Sequence, residues 1–119
     1  MEEGWIKLHR KMIEWEWYTD NNTKIVFIHL LLTANHAEKK WKGILVKRGQ
    51  TVTSLQHLAK ETRLTLAQVR TALLKLKMTH EITINSTKQY SLINVEKYDN
   101  YQCDTKENNI RNTHRTTNE

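Results

Sequence analysis

The sequence predicts a mostly helical α+β domain, and three observations lead there. Apolar residues recur at helical spacing in two segments that each begin with a capping residue, Ser54–Thr62 and Thr65–Met78. Two alternating runs, Glu81–Ile84 and Gln89–Val95, follow at once, separated by the turn residues Asn85-Ser86-Thr87-Lys88. Residues 99–119 hold five Asn and four Thr with Ile110 as their one aliphatic side chain, too little apolar surface to offset the ordering of a chain. The domain is therefore expected over 1–98, with 99–119 a flexible Asn/Thr-rich linker or tail. A chain of 119 residues supports one core of this kind.

Each element has its own signal. Trp5, Leu8, Met12 and Trp15 stand at helical spacing, while the first few residues also alternate, so an extra N-terminal element is expected, a strand or turn leading into a helix. Thr19–Thr23 supplies turn and N-cap residues, and Lys24–Asn35 is apolar enough to be the central helix of the core. Lys39–Gly43 breaks that pattern. Ile44–Val46 reads as a short strand closed by Lys47-Arg48-Gly49. Ser54 then caps a helix of about two turns carrying Leu55, Leu58 and Ala59, and Arg63-Leu64-Thr65 connects it to the next. Thr65 and Gln68 have the spacing of a capping box, and Val69, Ala72, Leu73 and Leu76 line one side of the helix behind them. Two short capped helices joined by three residues form a helix-turn-helix, and a hairpin behind the second helix is a wing. The expected architecture is a winged helix-turn-helix with an added N-terminal helical or strand element.

Charge narrows the function. The formal net charge is +6, and it is not spread evenly: residues 1–46 carry seven Lys+Arg against six Asp+Glu, 47–90 carry eight against two, and 91–119 carry four against five. The excess falls on the two helices and the hairpin, as expected of a surface that meets a polyphosphate. A lysine-rich solvated face is the plainer alternative. Around the second helix, Ala67, Gln68, Arg70, Thr71, Leu74, Lys75 and Met78 lie opposite the apolar stripe. Its first turns thus present a small residue, an amide, a guanidinium and a hydroxyl, the side-chain types that read a major groove. Arg70 is suited to guanine and Gln68 to adenine, and Thr71 and Lys75 to phosphates; Arg63 in the connection and Ser86 and Lys88 at the hairpin tip are further candidates for backbone contacts. Leu74 and Met78 do not suit a polar reading face, and are expected either to pack under the N-terminal helix or to form an oligomer contact.

Other chemistry is disfavoured. Cys103 is the single cysteine, which excludes an internal disulfide and a multi-cysteine zinc site, and no basic or histidine neighbour activates it. His29 and His36 lie seven apart without further visible ligands and read as satisfied polar positions rather than a metal site. Three glycines, Gly4, Gly43 and Gly49, cannot build a phosphate-gripping loop. The expectation is a binding module, not an enzyme, with no cofactor. The acidic start and the want of a long apolar run point to a cytoplasmic protein with no membrane partner. The tryptophans are expected in the core and at its rim; Trp41, between Lys40 and Lys42, either anchors its own loop or lies against nucleic acid.

The combination of Gly4–Trp15 with Lys47–Leu55, Leu64–Leu76 and Glu81–Ile84 resembles the N-terminal domain of phage replisome organisers, which are similar to the DnaD-type primosomal proteins of Gram-positive bacteria and their prophages. The likeness covers about residues 4–98. It implies a winged-helix domain that binds double-stranded DNA at a replication origin, with a separate C-terminal part engaging helicase-loading proteins. In DnaD-like proteins the winged-helix domain can also serve self-association, so a homo-oligomer is the alternative partner. A transcriptional repressor would use the same fold.

Overall fold

The computed structural model describes residues 4–102. The N-terminal segment forms a short 3-10 turn at Arg10–Glu14 rather than the expected α-helix. It is fastened by two indoles instead of by backbone periodicity: Trp15 Nε1 donates to Glu81 (3.0 Å) and Trp17 Nε1 to Thr79 Oγ1 (3.0 Å). Trp15 also packs its ring against Phe27 at 5.0 Å, whereas Trp5 is left 90% exposed.

Asp20 opens helix α1 (Asn21–Thr33), its carboxylate accepting from the Thr23 N–H. Val26, Phe27, Leu30 and Leu31 of this helix are buried at the centre of the core, as its apolar sequence requires. The next stretch forms two strands where one was expected. β1 (Lys39–Trp41) and β2 (Ile44–Val46) make a hairpin whose two turn residues, Lys42 and Gly43, both have positive φ, the geometry that two-residue hairpins favour. A further strand, β3 (Gln50–Thr53), follows a turn at Gly49. Gly49 has φ +84°, and a Cβ there would lie 2.8 Å from Tyr98 Cβ, so no other residue fits without displacement.

Helices α2 (Leu55–Thr62) and α3 (Leu66–Met78) lie where the sequence places them. Ser54 Oγ accepts from the His57 N–H, and the capping box of α3 is complete in both directions. The turn between them is made by Arg63 in the left-handed region (φ 60°, ψ 36°), which lets Leu64 N–H bond back to the Ala59 carbonyl. β4 (Ile82–Ser86) and β5 (Ser91–Val95) form the expected hairpin, and β5 also pairs with β3, giving an antiparallel sheet in the order β3-β5-β4. Leu58, Val69, Leu76, Ile82 and Ile93 close the core between helices and sheet. This is an α+β domain with three principal helices and two small antiparallel sheets.

The domain continues past the expected boundary at 98. Tyr98–Gln102 forms a helical turn, α4, held by Arg48, which pairs with Asp99 (2.5 Å), donates to the carbonyls of His36 and Gln102, and lies over the Tyr98 ring. Gln102 in turn exchanges two hydrogen bonds with the backbone of Lys7. Residues 103–119 of the expected tail, with Cys103, lie outside the described residues. No helix among the described residues is long and apolar enough to cross a membrane, and no group of three or more metal-ligating side chains occurs among them.

Candidate nucleic-acid interface

The side of α3 away from the core is built by the helix's own periodicity. With Val69, Ala72, Leu73 and Leu76 turned inward, Ala67, Gln68, Arg70 and Thr71 are exposed along its first half. Gln68 is only partly free. Its Oε1 accepts from the Thr65 N–H to complete the capping box, which leaves the Nε2 donors for any external partner. Arg63 stands exposed at the turn that presents this helix end, and Lys88 is exposed at the tip of the β4–β5 hairpin. Ser86 is exposed too, but its hydroxyl is shared with Ser91 Oγ at 3.0 Å.

Lys75 departs from its expected role. Its Nζ lies 2.5 Å from Asp20 Oδ2 and 5.5 Å from the centre of the Trp17 ring, so the charge is held against the start of α1 instead of facing outward. The reason is the helical wheel: position 75 lies on the flank of α3 nearest α1. The bonded ammonium of Lys75, helped by the Thr23 N–H and opposed by partial burial, holds the Asp20 carboxyl below its usual pKa. Leu74 and Met78 are 55% and 60% exposed.

Lys77, not among the residues expected from the helical wheel, stands on the opposite flank. It follows Arg70 by seven residues, so both belong to one stripe with Leu73 and Leu74, and that stripe faces the sheet across an open groove of about 480 Å³. The heptad spacing was visible in the sequence, but only the packing of the hairpin shows which flank it lines.

Ion pairs with acids outside the segment 47–90 take up two of its eight cations, Arg48 and Lys75. Its two acids are both engaged elsewhere: Glu61 accepts from His29 (2.7 Å) and His57 (3.0 Å), tying α2 to α1, and Glu81 bonds Trp15 and Thr79. Arg48 and Lys75 are ion-paired, while Lys60, Arg63, Arg70, Lys77 and Lys88 pair with no described acid. Trp41 makes an edge contact with Tyr90 beside the hairpin tip at 5.2 Å, and Lys42 covers its ring, so it braces the two hairpins. These positions give α3, its leading turn and the hairpin tip a cationic surface. No family model, curated protein or solved structure matches the chain, so its functional reading rests on this surface.

Proposed function

We propose that this chain is a winged helix-turn-helix module that binds double-stranded DNA, with α3 as recognition helix and the β4–β5 hairpin as wing, and that it acts in replication initiation rather than as an enzyme. The observation that carries the reading is that the exposed half of α3 and the hairpin tip hold cations with no described acidic partner, while the acids of the same segment are bound elsewhere. Arg70 and the free amide donors of Gln68 serve base edges, and Thr71 with Ala67 allows close approach of the helix. Arg63 and Lys88 flank these and serve phosphates. Lys75, neutralised by Asp20, drops out of this set. The replication role is supported by the likeness to phage replisome organisers alone, and engagement of helicase-loading proteins would belong to a further C-terminal part.

Fluorescence anisotropy with a duplex from the flanks of the coding region and a scrambled duplex tests the reading. The logarithm of affinity falls with the logarithm of salt by about 0.9 per neutralised phosphate. Arg70→Ala combined with Lys88→Ala weakens binding at least tenfold, whereas Lys75→Met changes it little. Unchanged binding in the first variant refutes the interface.

A second reading, self-association, is favoured by one observation: Leu74 and Met78 are exposed together on α3. It predicts a concentration-dependent mass in sedimentation that Leu74→Asp abolishes.

A further inference from the structure

The groove between α3 and the sheet has the composition of a small-molecule site. Its volume, about 480 Å³, falls within the range of roughly 300–1,000 Å³ usual for such sites. Its apolar surface comes from Leu74 of α3, Leu55 of α2 and Ile84 of β4, laid over the buried Leu58, Leu73 and Ile93, the last directly paired with Ile84. Two residues along the strands, on the same face, Thr53, Ser91 and Ser86 are paired across all three strands and replace that apolar row by a row of hydroxyls. On the facing wall Arg70 and Lys77 supply two positive charges that no described acid neutralises. One polar group here is left unsatisfied. Thr53 borders this groove and is 9% exposed, and its Oγ1, buried behind the groove wall, has no hydrogen-bond partner.

We propose that this groove binds a small amphipathic carboxylic acid. An aromatic or aliphatic body covers the Leu55–Leu74–Ile84 surface, and the carboxylate is held by Arg70 and Lys77. A carboxylate accepts up to about four hydrogen bonds and forms its strongest ones with cationic donors, which suits a wall with two of them. The Thr53 hydroxyl, turned toward the groove by a χ1 rotation, donates to the bound acid and so gains the partner it lacks. A neutral ligand would cover the apolar surface but leave both cations without a counter-charge. Because Arg70 belongs also to the exposed face of α3, occupancy of the groove withdraws that guanidinium from any other ligand of the helix. The site itself does not depend on DNA binding.

The test is a titration of the ¹⁵N-labelled full chain with 2-naphthoate, and with 2-naphthylmethanol as its neutral counterpart, in the absence of nucleic acid. Naphthoate is expected to shift the amides around Thr53, Arg70–Lys77 and Ile84–Ile93, and to bind about tenfold more tightly than the alcohol, the size of one charge-assisted hydrogen bond. Arg70→Gln and Lys77→Gln, both at exposed positions and hence harmless to folding, each remove most of that preference, and Thr53→Val weakens the acid more than it weakens the alcohol. Equal affinity for acid and alcohol, shifts spread over exposed apolar positions such as Leu32 and Leu45, or no shifts at millimolar probe each overturn the proposal. So do shifts of the same amides on raising protein concentration without probe, which would assign the groove to a second copy of the chain. With no duplex in the sample, failure here leaves the DNA-binding reading standing, and failure of the anisotropy experiment leaves this one standing.

Discussion

Asp20 performs two tasks that one pair of substitutions separates. Its carboxylate caps α1 through the Thr23 N–H (3.2 Å) and neutralises Lys75 through the other oxygen (2.5 Å). Asp20→Ala removes both contributions. A lost cap costs about 0.5–2 kcal/mol. The Asp20 and Lys75 side chains are 24% and 35% exposed, so solvent still screens the pair and its worth is set at about 0.5–1 kcal/mol. The alanine variant is therefore expected to be destabilised by about 1–3 kcal/mol, or roughly 4–8 °C in Tm for each kcal/mol in a domain of this size. Asp20→Asn keeps an equally good cap and loses only the ion pair, so its deficit stays near 1 kcal/mol or about half that. The two variants also part company in acid. The Asp20 carboxyl is held below its usual pKa, so its stabilisation is complete above the unfolded carboxylate value of about 3.9 and disappears as pH falls through the lower folded value. Urea melts followed by circular dichroism at neutral pH and again below pH ~3 measure this: the gap between the wild type and Asp20→Asn narrows in acid. Equal destabilisation by asparagine and alanine, or a gap that does not change with pH, would falsify the division of labour. A double-mutant cycle with Lys75→Met should return a coupling of about 0.5–1 kcal/mol, and a coupling of zero would show the pair contributes nothing.

Other substitutions have outcomes set by geometry. Arg63→Gly relieves a left-handed backbone and is expected to raise stability by about 1 kcal/mol while weakening duplex binding several-fold, so that melts and anisotropy move in opposite directions. Gly49→Ala places a Cβ 2.8 Å from Tyr98 at positive φ and is expected to lower stability by about 2–4 kcal/mol in thermal melts. Leu76→Ala, at a position with 0% exposure, is expected to cost about 2–5 kcal/mol by the same measurement. Trp41→Ala loses an aromatic pair worth about 0.5–1.5 kcal/mol, and hydrogen exchange should register it in the two hairpins before the helices.

What could be read in the sequence was local. The caps at Ser54 and Thr65, the bounds of α2 and α3 and the pairing of β4 with β5 are written in residues three or four apart or in one alternating run. The features that escaped depend on distant partners. Gln50–Thr53 contains three consecutive β-branched residues, Thr51, Val52 and Thr53, yet becomes a strand only because β5, some forty positions later, offers it an edge. Trp15 stands at helical spacing with Leu8 and Met12, but its indole and that of Trp17 are anchored by Glu81 and Thr79, and the backbone between them turns instead of coiling. Asp99 and Gln102 belong by composition to the tail, and Arg48 and Lys7 draw them into the fold. In the candidate interface, the outward face of α3 followed from periodicity, while the diversion of Lys75 to Asp20 and the turning of Arg70 and Lys77 to a shared groove did not. Periodicity fixes which side of a helix meets the core, and it is silent on which neighbour stands at each flank.

The reciprocal amide clasp between Lys7 and Gln102 brings positions near the two ends of the described residues within bonding distance of each other, 2.8 and 2.9 Å between heavy atoms. A short glycine linker from residue 102 to the residue before Ile6, which packs on the core, would close the chain into a ring, with fresh termini opened at the exposed Lys42-Gly43 bend without cutting any helix. The same proximity lets the unit be spliced into a surface loop of another protein as a cassette whose two ends demand almost no span from the host.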